Sequence, residues 1–388
     1  LGSHRTVNHS YNDAVGVLGK IRAIHLESNG QKIDSLREAN RFLAFQNLLK
    51  SNQQQNSLIE KDNKSARGLI VYSAKQAIDA RSRTVSVNAS AALAAREATL
   101  GSLNLMDVFP VLRAMSHIDT SVMKNVKVRV EYETKAEKLM SSTAGAAAAD
   151  PIPVLVVEQF QDNADVAKMT KAMGSVVWDT IEHDQIRVDA ITNQSTTVKK
   201  PVDTSKKLMA FNNKYVSKVV VMKESSAAAS ILNGTTVIGY GHYASQAQFE
   251  EKFNCRLNGK NMFVGAGLDS PAKMTAMCAD AWGTYVLTPG DDETSLGVND
   301  ELATMNARRA KGARPIQSNK QNDRVGQSSF IGFHVEDNVK DMQLEYSRTG
   351  LSDSTARFRY NSALNLHVFA EVRKQLVMKG DKFMVSYM

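Results

Sequence analysis

Three observations predict an all-β chain with a few short helices, folded as two tandem β-sandwiches. The first is size. At 388 residues and 42.5 kDa, the chain exceeds one comfortable hydrophobic core, which stops growing at roughly 250–300 residues. The second is a series of short alternating runs. The clearest sets Val126, Val128, Val130 and Tyr132 against Lys127, Arg129 and Glu131, and a period of two separates a packed face from a polar one. The third is an internal repeat. Asn29-Gly30 has a counterpart in Asn258-Gly259, and Lys124-Asn125-Val126-Lys127-Val128 resembles Lys340-Asp341-Met342-Gln343-Leu344. Order and spacing agree between the halves. Two copies of one β-rich domain, made of short strands with turn signals, is the pattern of sandwiches or barrels, jelly rolls included.

The elements follow in order. Residues 1–12 read as a polar arm with Arg5 as its one formal charge, 13–161 as the first sandwich, 162–178 as a connecting helix and 179–388 as the second sandwich. Ile24 and Leu26 alternate with His25 and Glu27 ahead of Asn29-Gly30, the dipeptide of tight hairpins. Ser35-Leu36-Arg37-Glu38 has the form of a capping box. Leu36, Ala39, Phe42, Leu43, Phe45 and Leu49 recur at helical spacing, which predicts a helix from Leu36 to Leu49. Ser51–Ser65 reads as a polar loop, and Thr84–Val87 alternates again. Pro110 excludes one continuous helix across 100–120. Val154-Leu155-Val156-Val157 predicts a short buried strand. Asp162 or Asn163 would cap the connecting helix and Gly174 would end it. In the second sandwich, Val219–Met222, Cys255–Phe263, Phe330–Tyr346, Leu364–Val372 and Lys382–Tyr387 are strand or hairpin candidates. Residues 291–326 form a long polar and charged loop.

Motifs for chemistry are sparse. The net charge of +8 permits contact with nucleic acid or an anionic membrane without demanding it. Cys255 and Cys278 are too few for a disulfide framework or an all-cysteine zinc site, and read as buried structural thiols. The histidines lack the H-E-x-x-H spacing, and Glu182-His183-Asp184 reads as a structural histidine between acids. No G-x-S-x-G elbow occurs. Gly16–Lys20 lacks the Walker spacing, and Gly239-Tyr240-Gly241-His242 lacks a third glycine. Asp291-Asp292-Glu293 reads as a solvated acidic turn. No catalytic residue, metal or cofactor is expected. The one candidate site is the basic loop of Arg308, Arg309, Lys311 and Arg314, continued by Lys320 and Arg324 and opposed only by Asp323. Such a loop can face phosphates or lipid headgroups by charge alone. No aromatic interleaves it, so base stacking is unsupported. The plainer reading is a solvated loop paired with a neighbouring subunit.

Several segments together resemble one family. Ile24–Leu49 looks like the early part, and Leu103–Glu133 the later part, of the first jelly roll in double jelly-roll major capsid proteins. Phe253–Gly267, Phe330–Gly350 and Leu364–Met388 look like matching strands of the second. This is the lineage of tailless icosahedral DNA viruses that includes tectiviruses, adenoviruses and polinton-like elements. The likeness is one of pattern, without a fixed motif, and 291–326 has no counterpart in it. It implies two jelly rolls side by side, and a homotrimer of pseudo-hexagonal outline in which two similar domains on three subunits give six similar edges. It implies trimers tiling a shell around a DNA genome, with penton and minor capsid proteins, and an internal membrane or the genome, as further partners. The location implied is the virion, after synthesis in the host cytoplasm or nucleus, and the role is structural, without catalysis. The alternatives are a receptor- or glycan-binding jelly roll and a carbohydrate-active enzyme, since fold alone does not fix function. A glycan site wants exposed aromatics beside carboxylates. Trp178 and Trp282 offer little of that, with Trp282 read as a strand edge or turn.

Overall fold

The computed structural model describes residues 9–10, 19–48, 84–85, 103–115, 117–133, 153–159, 174–190, 200–225, 249–265, 267–283, 308–309, 311–312, 330–350, 363–379 and 382–388. Expectations for the arm before residue 9, the polar loop 51–65, the connecting helix over 163–173 and most of 291–326 lie outside these residues.

The first half opens on a hairpin. Strand β1 (Ile21–Ser28) turns at Asn29 and Gly30 into β2 (Gln31–Arg37). Both turn residues have positive φ, 49° and 77°, the geometry that the Asn-Gly pair favours. Strand β3 (Lys127–Tyr132) pairs with the other edge of β1, giving an antiparallel sheet in the order β2-β1-β3. Ile24, Leu26, Val128 and Val130 face the core as their period requires.

Helix α1 spans Ala39–Leu48, not Leu36 onward. The capping-box reading fails because Ser35 and Leu36 pair with His25 and Ile24 in the ladder. The sheet thus occupies the segment that a helix N-terminus would have needed, and Glu38, at φ 50°, makes the corner. Helices α2 (Leu105–Val108) and α3 (Pro110–Ala114) break at Phe109, where Pro110 opens the second, as its missing N–H dictates. The aliphatic run at 154–157 is corrected: it lies in no strand, and its residues are 84%, 55%, 87% and 73% exposed. Hydrophobicity asks for cover but does not say which surface supplies it.

The second half is a complete jelly roll. Its strands are β4 (Ser175–Val188), β5 (Lys200–Lys207), β6 (Lys214–Ser225), β7 (Phe249–Leu257), β8 (Lys260–Asn261), β9 (Ile331–Val339), β10 (Met342–Gly350) and β11 (Leu364–Lys379). One sheet runs β4-β11-β6-β9 and the other β5-β10-β7-β8, all antiparallel. Consecutive strands therefore swap sheets, except for the β7-β8 hairpin, in the two interlocked Greek keys of that fold. A further strand, β12 (Lys382–Tyr387), continues on the same edge of β11 where β6 ends. Residues 175–178 open β4 and are strand, where the end of the connecting helix was expected.

Helix α4 (Pro271–Trp282) was not anticipated. The Ser270 hydroxyl caps it by accepting from the Lys273 N–H, and Pro271 starts it, so Trp282 ends a helix and is neither strand edge nor turn.

Among the described residues, the β4-β11-β6-β9 (middle) sheet is packed on both faces. Val219, Val221, Val368 and Ala370 point into the second jelly roll's own core. Val220, Met222 and Phe369 point the other way, into a core shared with Ile24, Leu36, Phe42 and Phe45 of the first half. Burial on both faces is why Val219–Met222 is continuously apolar instead of alternating.

The internal repeat is visible in the registers. Leu26 lies opposite Val128, and Cys255 opposite Leu344. The Asn29 N–H donates to the Lys124 carbonyl at 3.0 Å, and the Asn258 N–H to the Asp341 carbonyl at 2.8 Å. In each half a helix follows the hairpin.

Candidate functional site

The seam between the first-half layer and the middle sheet gathers the buried polar side chains of Asp34, Arg41, Thr180, Glu224 and His367. Its apolar part is aromatic. Phe42 of α1 stands 5.3 Å from Phe369 and 6.0 Å from Trp282, and Phe45 stands 5.5 Å from Trp282 and 5.0 Å from Phe330. Tilted and edge-on geometries of this kind exceed simple area burial in strength. The Trp282 indole N–H donates to the Val219 carbonyl at 3.0 Å, so its polar atom is satisfied.

Two polar links cross the seam. Asp34 of β2 accepts from the Trp178 indole at 3.1 Å, from the Thr180 hydroxyl and from the Ser35 N–H at 2.9 Å. Burial pushes its carboxyl up to about 6, against the opposing pull of Lys374 and of the bonds it accepts. In the second link, Arg41 of α1 reaches Glu224 of β6, with Nη2 at 3.1 and 3.0 Å from the two carboxylate oxygens. Arg41 also holds Glu38. Glu224 in turn lies 3.3 Å from His367 Nε2, and His367 Nδ1 lies 3.1 Å from His183 Nε2.

The chain of contacts fixes the tautomers. His367 carries its proton on Nε2 to donate to Glu224, which leaves Nδ1 to accept from Nε2–H of His183. Burial pushes His183 down to about 2, reinforced by His367 and Arg41. Burial and Arg41 also lower His367, although Glu224 opposes them. Both rings are therefore neutral at physiological pH. A third buried pair, Lys223 with Glu251 at 3.0 Å, lies wholly inside the second jelly roll and ties its two sheets, with the Tyr346 hydroxyl donating to Glu251 at 2.7 Å.

This arrangement fastens layers together. Burial raises the Cys255 and Cys278 thiols to about 12, far from the thiolate that a nucleophile needs. Among the described residues no group of three or more His, Cys, Asp or Glu is placed to hold a metal ion. No helix among them is long and apolar enough to cross a membrane.

Of the basic loop, Arg308–Arg309 and Lys311–Gly312 form two short strands that pair with each other, and Arg314 lies outside the described residues. His183, flanked by acids in sequence, is a structural histidine, and Trp178 is a seam residue. Sequence reasoning missed Asp34, Arg41, Glu224 and Lys223. The signal available was a charge set directly beside an apolar run, as in Ile33-Asp34 and Val219–Glu224.

No protein-family model matches the chain, and no curated protein is a significant match in sequence. Solved structures do match. PBCV-1 VP54, fitted into a reconstruction of the virophage Sputnik, aligns with a TM-score of 0.50 at 9% identity over 98% of this chain and 87% of that one. The mavirus major capsid protein aligns at 0.46 and 10% identity, over 100% and 81%. The Faustovirus major capsid protein aligns at 0.47 and 10%, over 96% and 74%. The middle sheet, its jelly-roll partner and the repeated hairpin thus belong to one end-to-end architecture, and the chain has the double jelly-roll fold that it shares with PBCV-1 VP54.

Proposed function

We propose that this chain is a structural subunit of a viral shell, a major capsid protein that forms pseudo-hexagonal homotrimers and tiles an icosahedral capsid around a DNA genome. The observation that carries the reading is the double jelly-roll architecture, matched over 98% of the chain by PBCV-1 VP54. The seam supports it: aromatic packing, two buried polar links and neutral histidines make a rigid joint, which a subunit of a shell under internal pressure needs. The exposed aliphatic run at 154–157 is the kind of surface that contacts between subunits cover. On this reading the chain's partners are its own copies first, then penton and minor capsid proteins, with the membrane or genome contacted through charge. Its place is the virion.

Light scattering with negative-stain images of the purified protein tests the proposal. The expected outcome is a particle of about three times 42.5 kDa with a hexagonal outline, or closed shells. A monomer at all concentrations would overturn it.

A further inference from the structure

A cavity of about 360 Å³ is lined by the polar face of the first-half sheet and by His183 of β4. That volume sits at the lower end of the ~300–1,000 Å³ typical of small-molecule sites. Its charged lining is Arg22, Lys32, Arg37 and Arg129 against Glu38 and Glu131, an excess of positive charge. The two carboxylates are engaged. Glu38 pairs with Arg22 and Arg41, and Glu131 lies 2.7 Å from Arg129, which also reaches Glu27 at 3.2 Å. Lys32 and Arg37 are exposed and have no carboxylate partner among the described residues.

A second observation points the same way. His25 lines this cavity and is only 3% exposed, yet its Nδ1 is buried with no hydrogen-bond partner. Its Nε2 lies 3.6 Å from Glu131, too far for a hydrogen bond. Buried polar nitrogens are normally met. His25 thus brings a wall residue with an unmet nitrogen beside two cations that have no carboxylate partner among the described residues.

We propose that the cavity binds a small multivalent phosphate-type oxyanion, held by Lys32 and Arg37 with His25 contributing the third contact. A guanidinium offers a planar fork to two phosphate oxygens, and the ammonium adds a point charge beside it. A polyphosphate or a phosphorylated small molecule fits both the charge excess and the volume. The site bridges the first-half sheet and the middle sheet, so its occupant would strengthen the joint between them.

Calorimetry on the full chain tests this, with inorganic phosphate and tripolyphosphate as probes at about 0.15 M salt. One saturable site is expected for tripolyphosphate and a weaker one for phosphate, both weakening as salt is raised. The Lys32→Gln/Arg37→Gln double variant should bind tripolyphosphate at least about tenfold more weakly, with unchanged tryptophan fluorescence to certify its fold. An Arg308→Gln/Arg309→Gln variant should bind as the parent does. Vesicles carrying phosphatidylinositol bisphosphate separate a lipid headgroup from a free anion. No saturable binding of tripolyphosphate, binding confined to vesicles, or equal weakening by both double variants would each overturn the proposal.

Discussion

The two halves carry the same hairpin–helix–strand unit in the same register, yet bury it differently. In the second half, Phe253, Cys255 and Leu344 pack into a core closed by that half's own two sheets. In the first, Ile24, Leu26 and Phe45 pack into a core completed by Trp178, Val220, Met222, Phe369 and Leu376 of the other half. The polar faces differ as well. Arg256 pairs with Glu345 across neighbouring strands, as Arg129 pairs with Glu27, but only the first-half face lines the cavity that holds His25. Among the described residues, one unit finds its cover within its own half and the other finds it in its neighbour. Both tryptophans lie at the seam, so their fluorescence reads the shared core while far-ultraviolet circular dichroism reads the whole β content.

The largest expected effects contrast the two buried ion pairs. Lys223→Ala strands Glu251 inside the second half's own core and should cost about 3–5 kcal/mol, moving both denaturation signals together. Arg41→Ala strands Glu224 at the seam at a similar cost and should move the fluorescence transition ahead of the dichroism transition. Coincident transitions in the Arg41 variant would erase the asymmetry.

Acid should loosen the seam next. His183, His367 and His25 all sit below their ordinary 6.5 in the folded chain, so the unfolded chain takes up protons first. Their stabilisation is complete above 6.5 and is lost as pH falls. Asp34, raised from 3.8 to about 6, acts oppositely: the folded chain binds its proton more tightly, which favours folding as pH falls through 6 toward 3.8. Three groups outweigh one. His183 alone supplies a slope of up to about 1.4 kcal/mol per pH unit. The fluorescence midpoint should fall between pH 7 and 5, and less steeply in His183→Asn.

The smallest effects should be equal in the two halves. Gly30 and Gly259 have φ of 77° and 83° with open space where a Cβ would stand. Alanine at either should cost only the backbone strain of that region, about 1–2 kcal/mol. A clear difference between the two would mean that the turns are not equivalent.

Much of the fold was legible because it is written in period and turn chemistry. The β3 alternation, both Asn-Gly hairpins, the break at Pro110 and the repeat itself depend on nearest neighbours along the chain. What was not legible depends on contacts distant in sequence. Ser35–Arg37 looks like a helix start until β1 claims it as a strand, and 154–157 looks like a core strand although no ladder takes it up. Helix α4 was within reach, since Ser270-Pro271 and Gly283 bracket it, but its small, Met-rich face gave a weak period. The seam was the least legible part. Asp34 and Trp178, or Arg41 and Glu224, meet only after the layers stack, and no spacing along the chain announces that meeting.

Strands β4 and β11 pair without a break from Leu364–Val188 to Val377–Ser175, and their residues enter both cores in turn. Ladder hydrogen bonds lie across the strand axis. Tension along that axis therefore loads the whole row in shear, many bonds sharing it at once, whereas a sideways pull would peel them singly. The molecule has a stiff direction and a weak one, and the pair acts as a tie-rod aligned with the stiff one.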